Sequence, residues 1–92
     1  MADFRPRLEV SVDEATGSIR AAYIRVREGE VHETREIEEG RAFADYDQQG
    51  LLLGIELLAP CEMEVLDRIV AQEPEPVRRF IRGSPPRELV PV

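Results

Sequence analysis

Between Leu8 and Leu58 apolar residues recur at every second position, and after Pro60 they recur at every third or fourth. That change of period is the strongest constraint on the fold. Alternation places one set of side chains on one face of a pleated strand, whereas the longer spacing lines one side of a helix. Glycine-bearing polar turns interrupt the alternating part, so the pattern predicts an α+β domain. It is an antiparallel β-meander of about five strands followed by one or two C-terminal helices. The 92 residues divide as one domain, with the meander over 8–58, a helical extension over 61–83 and a tail over 84–92.

Leu8, Val10 and Val12 form the first strand, and Glu14-Ala15-Thr16-Gly17-Ser18 turns the chain. Ile19 to Arg27 is the second strand, and Glu28-Gly29-Glu30 is a short turn predicting a hairpin between strands two and three. Val31 to Glu38 carries Glu33 and Arg35 between its apolar residues, the composition of an exposed edge strand that resists pairing. Strand four, Arg41 to Asp47, centres on Phe43 and Tyr46. Strand five, Leu51 to Leu58, is apolar on both faces, which predicts a central position. In it Gly54 marks a bulge or a close backbone approach.

Met63, Leu66, Ile69 and Val70 have helical spacing, with Glu62 and Glu64 in the first turn, where the helix dipole favours acids. Glu73-Pro74-Glu75-Pro76 breaks that helix. Pro76 can begin a second one, which carries Val77, Phe80 and Ile81 and is expected to end with Gly83 as its C-cap. Leu89 to Val92 is expected to be ordered only against another surface.

Charge and composition narrow the functional classes. The chain carries a formal charge of −7, which opposes a duplex-wide phosphate contact. Its basic residues are all arginine, and from Glu75 onward four arginines face two acids. These read as the solvated side of a helix rather than a nucleic-acid site. There is no apolar run near the roughly 18 residues of a membrane span, and the start lacks a signal-peptide pattern. One cysteine, Cys61, excludes an internal disulfide. A cytoplasmic protein without membrane or nucleic-acid partners is therefore expected.

The chemistry-bearing residues do not assemble into a recognised set. Asp45-Tyr46-Asp47-Gln48-Gln49-Gly50 with Glu56 has much of the spacing of a calcium loop, but its flanks alternate like strands. One histidine, His32, and one cysteine cannot complete a four-ligand zinc site within the chain. Cys61 lies among acids, which disfavour its thiolate. No catalytic, cofactor-binding or metal-binding residue is assigned, and no cofactor is expected. Tyr23, Phe43, Leu52 and Leu58 are instead expected to face away from the helices, as a partner contact. The first reading is a non-enzymatic protein-interaction module, a homodimer or the partner of another small protein. The alternative is a small-ligand or metal-binding domain using Asp45, Asp47 and Glu56.

Ala22-Tyr23-Ile24-Arg25-Val26, Thr34-Arg35-Glu36-Ile37, Asp45 to Gly50 and Gly54-Ile55-Glu56-Leu57-Leu58 together resemble a small prokaryotic family, domain of unknown function 2283. Its closing strand reads roughly YDxxGxLxGIEIL, and the resemblance spans about residues 8 to 60. Here the first turn is longer than the family's usual one, and Ala21-Ala22 stands where Ala-Leu is more usual. The resemblance implies a compact sheet domain, no established reaction and, by analogy, an antitoxin-like or partner-binding role.

Overall fold

The computed structural model describes residues 4–91. The alternating segments form β1 (Arg7–Val12), β2 (Ile19–Arg25), β3 (Glu33–Glu38), β4 (Ala42–Tyr46) and β5 (Leu52–Leu57). Helices α1 (Met63–Ile69) and α2 (Glu75–Gly83) follow. All neighbouring strands are antiparallel. The expected class, five antiparallel strands and then two helices, is the one observed.

Turn chemistry fixes three hairpins. Asp13 Oδ1 accepts the amides of Ala15 and Thr16 at 2.9 and 3.1 Å, and Gly17 takes φ 76° to return the chain from β1 into β2. The Gly40 amide donates to Glu36 Oε2 between β3 and β4. Asp47 Oδ1 accepts from the amides of Gln49 and Leu51 between β4 and β5.

The path through the sheet differs from the expected hairpin of strands two and three. The order is β1-β2-β5-β4-β3, so β2 pairs with β5. Val26 and Arg27 both donate their amides to Leu53 O, at 2.8 and 3.1 Å. Two consecutive amides on one carbonyl make a β-bulge, which bends the chain out of the β2 line. The Glu28-Gly29-Glu30 segment then passes Leu53 instead of folding back beside β2. The apolar β5 takes the centre and the charged β3 takes an edge, which places each composition where its desolvation costs least.

One face of the sheet holds the core. Ala22, Ile24 and Val26, Ala42 and Ala44, and Ile55 and Leu57 are buried against Val65 and Leu66 of α1 and Val77 and Ile81 of α2. Each large aliphatic side chain removed from water contributes about 1.5–3 kcal/mol. Leu52 belongs to this core as well, 2% exposed. The β4–β5 register slips between Asp45 and Tyr46, pairing Asp45 with Gly54 and Tyr46 with Leu52. Leu53 is thereby skipped, and Leu52 moves to the same face as Ile55 and Leu57. This corrects its expected outward position.

The tail supplies its own cover. Leu89 and Val90 are each 2% exposed, and Leu89 O accepts the Cys61 amide at 2.9 Å. Val92 lies outside the described residues. Gly83 is the last residue of α2 rather than its cap; Ser84 caps it, donating its hydroxyl to Phe80 O at 2.6 Å.

Candidate interaction surface

The two edges of the sheet are chemically unlike. On the helix-side face, β3 presents Glu33 and Arg35, which pair with each other at 3.1 Å while the guanidinium lies 4.4 Å from the centre of the Tyr46 ring. Such charges blunt an edge, as the sequence led us to expect. β1 presents Leu8, Val10 and Val12 on that same face, opposite Ile24, Ala22 and Ile19. They are 40, 47 and 51% exposed. Two helices do not reach across five strands, so the apolar row of β1 runs on from the core without a roof among the described residues.

The backbone of β1 is equally exposed on its outer side. Asp13 donates its amide to Ser18 O, and Arg5 donates to Val26 O, both toward β2. Backbone groups alternate in direction along a strand, so the N–H and C=O groups of Leu8, Val10 and Val12 point outward at the sheet edge.

The opposite face is polar. Tyr23 Oη donates to Asp45 Oδ2 at 2.9 Å, and Thr34 Oγ1 donates to Asp45 Oδ1 at 2.6 Å. This chain of contacts crosses four strands, because Gly54 lies between Tyr23 and Asp45 and has no side chain. A Cβ at Gly54 would clash with the hydroxyl end of the Tyr23 side chain, first with Oη and then with Cζ. Burial raises the Tyr23 hydroxyl well above the usual phenol range, and the hydrogen bond and negative charge of Asp45 add to it. Glu9, Glu36 and Glu56 are exposed across the same face.

The four residues expected to share a partner contact therefore separate. Tyr23 and Phe43 lie half-buried on the polar face, Leu58 is exposed just beyond the end of β5, and Leu52 is sealed in the core. The surface that sequence reasoning missed is Leu8, Val10 and Val12. Their alternation was legible, but their lack of cover follows from strand order, which local spacing does not encode.

The remaining candidates hold less. Asp45 uses both oxygens on Tyr23 and Thr34, and Asp47 uses Oδ1 on its own turn. No three His, Cys, Asp or Glu residues among those described are grouped to hold a metal ion. A cleft of about 740 Å³ opens beside Cys61, between Glu38, Arg41, Met63 and Arg68. Burial pushes the Cys61 thiol up, with Glu38 acting in the same direction and Arg41 against it. On α2, Arg78 and Arg79 contact Glu75, and Arg82 contacts Asp67. No helix among the described residues is long and apolar enough to cross a membrane.

No curated protein and no solved structure matches the chain. The resemblance read from the motifs is present, over a shorter span than residues 8 to 60 and without β1 or the helices. Residues 21–59, which carry most of β2 and all of β3 to β5 with the Tyr23–Asp45 contact and the central bulge, match the family described as Protein of unknown function (DUF2283).

Proposed function

We propose that the protein is a non-catalytic interaction module that associates with another polypeptide, in the simplest case a second copy of itself. The observation that carries this reading is the row Leu8, Val10 and Val12, exposed on an edge strand beside the core. A continuous apolar row next to unpaired backbone groups favours a protein partner, which can cover both at once. The absence of catalytic work is supported by what the polar groups already do. Each Asp45 oxygen already accepts a hydrogen bond, from Tyr23 or Thr34, and burial disfavours the Cys61 thiolate. We further propose a cytoplasmic location, a reading with which a buried free thiol is compatible.

Sedimentation equilibrium at micromolar concentration tests the reading. The chain mass is 10.5 kDa, and a species of twice that mass, or a stoichiometric complex with a co-purifying protein, is expected. A monodisperse species at 10.5 kDa with no companion overturns it.

A further inference from the structure

We infer that two copies of the chain join through β1, antiparallel, with Val10 of each copy on the two-fold axis. The inference rests on the self-association proposed above and adds the surface and its register.

The outward groups of Leu8, Val10 and Val12 limit the choices. A two-fold axis perpendicular to the sheet keeps the helices of both copies on one face, so a residue of β1 must sit opposite a residue of its own parity. Four centres remain near the middle of the strand. Centring on Ser11 sets Glu9 opposite Asp13 of the second copy, two carboxylates that repel. Centring on Leu8 brings Pro6 opposite Val10, and proline has no amide to donate. Centring on Glu9 sets two carboxylates directly opposite each other, which is destabilising. Centring on Val10 pairs Leu8 with Val12 of the second copy, Glu9 with Ser11, and Val10 with itself. Each outward N–H and C=O of Leu8, Val10 and Val12 then has a partner.

Charge agrees with the same register. Arg7 falls opposite Asp13 of the second copy, on both sides of the axis. Within one chain their ion pairs are loose, Arg7 with Glu9 and Asp13 with Arg20, each at 3.9 Å, while Asp13 Oδ1 serves its own turn. The two apolar rows meet on the helix-side face and form one continuous strip between the two cores. The charged β3 edge offers neither the apolar row nor the matching charges, so association stops at a pair and does not grow into a fibre.

Cysteine bridging and sedimentation together test this. Val10→Cys puts two thiols at a hydrogen-bonded pair, with Cα atoms about 5.5 Å apart, within disulfide range. Glu9→Cys puts them roughly 8 Å apart, beyond it. In glutathione buffer, Val10→Cys is expected to form a covalent dimer, while Glu9→Cys and the wild type, with only the buried Cys61, are not. Val10→Lys is expected to remain folded by circular dichroism, since the side chain is half exposed, and to sediment as a monomer. A wild-type dimer that survives Val10→Lys, or that bridges through Glu9→Cys and not Val10→Cys, overturns the β1 register while leaving self-association intact. A wild-type monomer overturns both.

Discussion

Arg27 and Glu73 meet at 2.6 Å across the inside of the molecule, joining the end of β2 to the segment between the helices. Both side chains are almost out of solvent, and the second guanidinium nitrogen of Arg27 donates to Leu52 O at 2.8 Å. One arginine thus ties the bulged part of the central strand to the turn that redirects the chain from α1 to α2. Removing one member of a buried pair strands the other without compensation, at about 3–5 kcal/mol, whereas replacing both by apolar groups is often neutral. Glu73→Gln and Arg27→Met are each expected to lower the urea midpoint strongly. The double variant Arg27→Met with Glu73→Leu is expected to regain most of the loss. A single variant with an unchanged midpoint would show that the pair contributes nothing to folding.

Leu52 at the start of β5 and Leu58 just past its end separate core from surface. Leu52→Ala opens a cavity in the core and is expected to cost about 2–5 kcal/mol by chemical denaturation. Leu58, 46% exposed, is expected to tolerate alanine within about 0.5 kcal/mol. Leu52→Glu would accordingly unfold the chain and not merely weaken an association. A folded, stable Leu52→Glu protein would contradict the observed register.

The strands, the two helices and the edge character of β3 were legible because each rests on local spacing and on turn residues such as Asp13, Gly17 and Asp47. Strand order was not. The Glu28-Gly29-Glu30 turn has the composition of a hairpin, and the competing contact, β2 with β5, joins residues some thirty positions apart. The outward position expected of Leu52, and the turn of Arg27 toward the helices, share one cause, the irregularities around Leu53. Strict alternation puts Arg27 beside Tyr23 and Arg25, and Leu52 opposite Ile55; the bulges turn both toward the helices. Gly54 was the one local sign. It marks the close approach expected of it, since the Tyr23 ring occupies the space of its missing side chain.

Gly54 is expected to resist substitution for that reason. An added methyl group would force the Tyr23 ring aside and break its hydrogen bond to Asp45, and overpacking of this kind costs about 1–3 kcal/mol. Gly54→Ala should therefore destabilise the wild type by more than it destabilises a Tyr23→Ala background. A double-mutant cycle reads the difference, and strict additivity would mean that the ring and the glycine do not constrain each other.

Cys61 is expected to react slowly. Its thiol is buried and its pKa is raised, first by burial and then by Glu38, so little thiolate forms at neutral pH. Labelling with a disulfide reagent at pH 7 should be slow in the native protein and rapid in denaturant. Equal rates would place the thiol at the surface.

Tyr23 gives the protein an alkaline limit. Its folded-state pKa lies above the unfolded value of 10.0, because burial and the neighbouring Asp45 carboxylate both disfavour the phenolate. A group raised in this way adds stability that is fully present below the unfolded value and is lost as the pH rises toward the folded one. Above pH 10 the unfolded chain releases the proton while the native state keeps it, so unfolding becomes steadily more favourable. Tyr23→Phe removes this linkage together with the hydrogen bond. The variant is expected to be less stable than wild type at pH 8, and the gap is expected to narrow between pH 10 and pH 11.5, a window set at roughly the ordinary tyrosine pKa. Urea midpoints measured for both proteins across that range test it, and parallel curves would mean that Asp45 and burial do not hold the Tyr23 proton.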